Sequence, residues 1–140
     1  MSEINQKDDC LFCKIIKGEI PSYKIYEDEH TFAFLDIASD VYGHTLVIPK
    51  NHSRDLFEVA ESDLAHTMNA TKKIASHYKE IFASGVNIVN CSGESAEQSV
   101  YHLHFHIYPR NEKDGHKICP TLPKTDIDLK KCAEKLKIKD

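Results

Sequence analysis

Apolar residues recur at two spacings along this chain, and the points where one spacing gives way to the other predict its elements. Leu11, Ile15 and Ile16, with Gly18 behind them as a stop, predict a short helix. Pro21 opens an extended stretch. Ser22 to Glu27 and His30 to Asp36 are rich in strand formers, and Asp28-Glu29 between them reads as a charged two-residue hairpin turn. A third strand runs from His44 to Pro49, where the missing N–H of proline ends it. From Ser62 to about Ala83 the spacing lengthens to three and four, which predicts one long helix. Leu64, Met68, Thr71, Ala75, Tyr78 and Phe82 line its apolar face, and Asp63, Lys72, Lys73, Lys79 and Glu80 its solvated face. Strands return at Val86 to Asn90 and Val100 to Tyr108, joined by the small polar loop 91–99, which suits close approach to a ligand. Thr125-Asp-Ile-Asp128 resembles a capping box ahead of Leu129, Ala133 and Leu136, hence a short terminal helix. This order describes an α+β fold, a mainly antiparallel sheet covered by one long helix.

Composition narrows the partners. A chain of 140 residues fits one domain. Residues 1–9 read as a flexible lead. A net charge of -4 without a basic stripe argues against nucleic acid as partner, while a single nucleotide needs only a local site. No apolar run approaches ~18 residues and the first nine residues are polar and acidic, so the expectation is a cytoplasmic protein with no membrane partner. Five cysteines are an odd number: Cys10 and Cys13 form a C-x-x-C, and Cys91, Cys119 and Cys132 are scattered. Metal ligands or plain thiols fit that pattern better than a secreted disulfide framework.

The densest chemistry lies in His102-Leu-His104-Phe-His106-Ile-Tyr108. On a strand, strict alternation places the three imidazoles on one face and Tyr101, Leu103, Phe105 and Ile107 on the other. One ion cannot easily take all three, because His102 and His106 would stand ~13 Å apart while Zn–N bonds are ~2.0 Å. Phosphoryl chemistry suits them better: a neutral imidazole is a nucleophile near neutral pH, and a neighbouring imidazolium offsets phosphate charge. Gln98 and Ser99, just upstream, add donors for non-bridging oxygens or a departing group. A polar sheet face with no chemistry is the plain alternative.

With these residues in view the chain resembles the histidine triad (HIT) family of nucleotide hydrolases and transferases. The likeness rests on the histidine row preceded by Gln98-Ser99-Val100, and on Cys10-Leu-Phe-Cys-Lys-Ile-Ile16, Gly18-Glu-Ile-Pro21, Tyr26-Glu-Asp28, Ala33-Phe-Leu-Asp-Ile37, Gly43-His-Thr-Leu-Val-Ile-Pro-Lys50 and His52, ordered as in bacterial members. It spans residues 10–115 and leaves 116–140 as a tail carrying the short helix. The resemblance implies His104 as nucleophile, His106 and Ser99 as phosphate and leaving-group contacts, and Gln98 as a further phosphate-side residue. It implies that Asp36 binds the ribose hydroxyls, that Phe12, Leu35 and Ile37 form the base pocket, and that Asn90 belongs to the substrate pocket. The carbonyl of His102 is expected to accept Nδ1–H of His104 and leave Nε2 free. The implied reaction cleaves a purine nucleoside 5′-monophosphate from a phosphoramidate, acyl-adenylate or dinucleoside polyphosphate through a nucleotidyl-histidine. A homodimer is implied as well.

Cys10, Cys13, His52 and His102 supply two thiolates and two imidazoles, a set that tetrahedral zinc prefers. The resemblance makes these four a structural zinc site. A redox pair or free thiols are the other readings of the cysteines. One residue departs from the family pattern: Glu97 stands where glycine is common, bringing a side chain and a negative charge near the phosphate loop. Two rival functions follow from the same residues, a zinc-stabilised nucleotide-binding adaptor without turnover and a metallohydrolase using His104 and His106 as ligands.

Overall fold

In the computed structural model, which describes residues 6–139, five strands form one sheet in the order β1-β2-β3-β5-β4 with every neighbouring pair antiparallel. The strands are β1 (Lys24–Glu27), β2 (Thr31–Leu35), β3 (Thr45–Pro49), β4 (Gly85–Val89) and β5 (Phe105–Arg110). Three α-helices accompany them: α1 (Leu11–Ile16), α2 (Glu61–Ile81) and α3 (Leu129–Leu136). A 3-10 turn covers Glu94–Ala96. The antiparallel sheet and the long helix match the expected α+β architecture. Part of the expected lead, residues 1–5, lies outside the described residues; Lys7 accepts from the Cys10 amide through its carbonyl and donates its own N–H toward Cys13 Sγ.

The two faces of the sheet bury different clusters. Ala33, Val47 and Ile107 pack against Ala70, Ile74 and Tyr78 of α2. On the opposite face Phe32, Phe34, Leu46 and Ile48 pack against Phe12, Cys13 and Ile15 of α1. Period-two alternation therefore places one set of β2 and β3 side chains under α2 and the other under α1, and His106, the register partner of Leu46, stands on the α1 face.

Local differences from the sequence reading have physical causes. The β1–β2 connection takes three residues, not two: the Asp28 carboxylate accepts from the amides of His30 and Thr31 at 2.8 Å each, which closes the turn without glycine. The buried stripe of α2 runs through Thr67, Ala70, Thr71, Ile74 and Tyr78, and Met68 is exposed. The threonines can be buried because each hydroxyl donates to the carbonyl four residues back, Thr67 to Asp63 and Thr71 to Thr67. Tyr78 is satisfied by Thr45, 2.6 Å away. The last strand begins at Phe105 instead of Val100. Its ladder with β3 stops at the Val47–Phe105 pair, and the Leu103 amide donates to Ser53 O at 2.7 Å. The α3 cap is Asp128 alone, whose carboxylate accepts from the Lys131 amide, and not a Thr125 box.

Candidate active site

Each triad histidine is fixed by a different partner. His102 is fully buried, and its Nε2 lies 2.9 Å from Pro49 O. A carbonyl only accepts, so Nε2 carries the hydrogen and Nδ1 presents a lone pair. That lone pair faces Cys10 Sγ at 3.3 Å and Cys13 Sγ at 3.6 Å, and His52 Nδ1 lies 3.5 Å from Cys13 Sγ. All four ligand atoms fall within 4.8 Å of one another. Tetrahedral zinc with its usual bond lengths separates a sulfur and a nitrogen ligand by about 3.6 Å, so the four residues fit the ion. The Pro49 carbonyl gives His102 the outer-shell partner that metal-bound imidazoles usually have. Burial pushes the Cys13 thiol up to about 11 and the His102 ring down to about 4, so without a cation both favour their neutral forms.

His104 is buried too, and its Nδ1 donates to His102 O at 2.8 Å, leaving a lone pair on Nε2. Burial holds its ring below the ordinary imidazole value, which keeps that lone pair available at neutral pH. The edge-on Phe12 ring lies 5.3 Å from the His104 ring and 5.8 Å from the His102 ring. His106, on β5, follows with its ring centroid 5.0 Å from that of His104. The rings therefore line up on one face although only the third histidine stands in a hydrogen-bonded strand. Tyr101, expected on the core face, is partly exposed and carries the Arg54 guanidinium 4.8 Å above its ring.

A cavity of about 310 Å³ opens beside His104 and His106. Phe12, Ile15, Phe34, Leu35 and Ile37 supply apolar walls, and Asp36 and Ser99 stand on its polar rim. Its size suits a small ligand. Asp36 Oδ1 accepts from the Ala38 amide at 2.8 Å, while Oδ2 lies 3.7 Å from His44 Nε2.

Two predicted site residues have other tasks. Gln98 is buried, and its amide is committed to backbone: Nε2 donates to Arg54 O and Val100 O, and Oε1 accepts from Gly93 N. It braces the loop that carries Ser99. Asn90 donates to His104 O at 3.0 Å and accepts from the Ser92 hydroxyl at 2.7 Å, so it holds the His104 backbone. Glu97 is exposed, with φ at 66°, in the left-handed region that favours glycine.

The structure also adds residues outside the expected site set, among them His44, which heads the strand of the Gly43–Lys50 motif and could have been read as a site or a structural residue. His44 is buried, its Nε2 lies 2.9 Å from His106 Nδ1, and its Nδ1 lies 2.8 Å from Asp40 Oδ1. Tyr108 stacks on His44 at 4.1 Å and on His106 at 5.5 Å. Continuing the period of two past His106 finds Tyr108; nothing in the sequence singles out Asp40. Burial and the adjacent His104 and His44 rings push His106 down to about 4, against the pull of Asp36 and Asp40.

Comparison with known proteins agrees with this geometry. Residues 17–113 match the HIT domain family. An adenosine 5′-monophosphoramidase of Saccharomyces cerevisiae is 40% identical over 120 residues, covering 85% of this chain and 74% of its own. The crystal structure of a HIT family protein from Bacillus anthracis superposes with a TM-score of 0.79 at 41% identity, covering 94% of this chain and 96% of that one. A Zn-bound histidine triad family protein from Mycobacterium smegmatis gives a TM-score of 0.75 at 38% identity, covering 79% of this chain and 81% of that one.

Proposed function

The chain belongs to the HIT domain family, and from that premise we propose that it is a nucleotide hydrolase or nucleotidyl transferase working through a covalent nucleotidyl-histidine. The observation that carries this reading is the His102 carbonyl on His104 Nδ1, which leaves Nε2 as the nucleophilic atom on a cleft shared with His106, Ser99 and Asp36. The relative named adenosine 5′-monophosphoramidase supports a purine nucleoside monophosphate as the group transferred.

His104 Nε2 attacks the α-phosphorus in line; the new P–N bond forms as the bond to the leaving group breaks. His106 faces the equatorial oxygens, and Ser99 donates to the departing amine, carboxylate or phosphate. Water then attacks the same phosphorus, releasing the nucleotide and returning the electron pair to Nε2. Phe12, Leu35 and Ile37 hold the base, and Asp36 accepts from the ribose hydroxyls with the carboxylate oxygen not used by Ala38. Asn90 and Gln98 act one step back from the substrate.

Cys10, Cys13, His52 and His102 hold a structural zinc in this reading. These four residues would fill a tetrahedral zinc's coordination, so that it would brace α1 and its Phe12 against the segment before β5 and take no part in the attack. The relative described as Zn-bound supports it. We assign catalysis to 10–115, treat 116–140 as a tail, and place the protein in the cytoplasm as a homodimer. Among the described residues, no helix is long and apolar enough to cross a membrane.

The test is incubation with an adenosine phosphoramidate. Adenosine monophosphate should be released, an acid-labile adduct should be trapped on quenching, and His104→Gly should lose both, with a rate loss of about a thousandfold or more. Binding without turnover would instead support an adaptor.

A further inference from the structure

A carboxylate that does not line the nucleotide cleft is connected to it through two imidazoles. Asp40 Oδ1 lies 2.8 Å from His44 Nδ1, and His44 Nε2 lies 2.9 Å from His106 Nδ1. His44 is only 3% exposed, which shields both hydrogen bonds, while the Asp40 side chain is about half exposed. Tyr108 stacks on both rings and limits their rotation.

The acceptors fix the direction of donation. Partial burial opposes ionisation of Asp40, but the His44 hydrogen bond and the Val41 amide outweigh it and hold the carboxyl below its ordinary range. An ionised carboxylate only accepts, so His44 donates from Nδ1 and offers a lone pair at Nε2. That lone pair accepts Nδ1–H of His106. Nε2 is therefore the ring nitrogen of His106 left for a ligand, and it becomes a donor only when protonated.

We propose that Asp40 is a positioning residue for the transfer reaction: through His44 it fixes His106 with hydrogen on Nδ1, and it supports the imidazolium that His106 becomes when a phosphoryl anion enters the cleft. This rests on the nucleotidyl-transfer reading above. The step is a protonation. A proton from solvent binds His106 Nε2, both existing hydrogen bonds stay in place, and the new charge lies at the head of a chain ending in a carboxylate. The groups facing His106 are the rings of His104, His44 and Tyr108 and the carboxylates of Asp36 and Asp40, and Cys91 acts electrostatically on Tyr108. The two imidazoles oppose a charge on His106 and the two carboxylates favour it. Asp36 is the one that the ribose would engage, which leaves Asp40 as the constant partner.

Asp40→Asn and Asp40→Glu in the full chain test this with two readouts. Imidazole nitrogen–proton spectra report tautomer and charge of His106, with adenosine monophosphate as the probe. The pH profile of phosphoramidate turnover reports the proton the reaction needs. In the parent, His106 shows the Nδ1–H pattern when free and the imidazolium pattern with the nucleotide bound. Asp40→Asn should lose the bound imidazolium signal at neutral pH and move the alkaline limb of kcat toward acid by about one unit or more, roughly a tenfold loss on that limb. Asp40→Glu keeps the charge and should retain signal and limb. Asp40→Asn matching the parent in both readouts would overturn the proposal, and so would a folded Asp40→Glu that loses both. If the parent turns over no phosphoramidate, the transfer reading fails and the spectra alone decide the role of Asp40.

Discussion

At the scale of single residues, small groups decide which nitrogen can react. His104 and His106 each have Nδ1 engaged, one by a carbonyl and the other by His44, so both aim the same atom at the cleft. Glu97 is governed by backbone instead. Glycine is common there in the family pattern, and φ at 66° gives the reason. The left-handed conformation costs a non-glycine residue about 1–2 kcal/mol, while glycine gives back about 0.5–1 kcal/mol in unfolded-state entropy. Glu97→Gly should therefore stabilise by up to about 1.5 kcal/mol, raising the melting temperature by up to roughly 5 °C in a chain of this size. The Glu97 side chain is exposed and does not line the cleft, so affinity for adenosine monophosphate, read by calorimetry, should change less than about twofold. Tighter binding by the variant would show that the charge reaches the phosphate.

At the scale of elements, the loop before β3 positions His44 and β5 positions His106, and both depend on one glycine. Gly43 has φ at 81°, and a Cβ there would stand 2.9 Å from Phe82 Cζ and 3.1 Å from Pro109 Cγ. Gly43→Ala combines backbone strain with overpacking, at a cost of about 2–4 kcal/mol. It should lower kcat as well, since the next residue is His44. Phe82→Ala relieves one of the two contacts, so denaturation of the double variant should show less than the sum of the single losses; strict additivity would deny the clash. The same scale shows what the sequence could reveal. Alternation in β2, β3 and β5 survives because it follows from side-chain geometry. The start of β5 was hidden, because Leu103 N finds Ser53 O, a tertiary partner that no local pattern announces. Likewise the α2 stripe takes in Thr67 beside the expected Thr71, since both hydroxyls are satisfied within the helix, and leaves Met68 exposed. Asp40 was invisible for a different reason: its partner His44 is only four residues away, but the two meet through the fold of a loop and not through a helix or strand period.

At the scale of the whole molecule, buried imidazoles make stability depend on protons, and the zinc proposed for the four-ligand cluster would add a dependence on metal. His106 is held near about 4 in the folded protein by burial and its neighbours, against an ordinary 6.5. Its neutral form is the one the fold favours, so its contribution is full above 6.5 and is lost as pH falls toward 4; burial moves His104 in the same direction. The melting temperature should hold from neutral pH down to about 6.5 and then decline, and a flat profile to pH 4 would contradict this burial. Acid would also displace zinc by protonating its ligands, so metal removal is best separated from titration by chelation at neutral pH. The proposed ion would join Cys10 and Cys13, which flank Phe12, to His102, two residues before the proposed nucleophile His104. Stripping it should lower the melting temperature and raise KM, because Phe12 walls the cavity proposed to hold the base, while kcat at saturating substrate falls much less. Chelation that abolished kcat with the melting temperature unchanged would instead assign the metal to the chemistry.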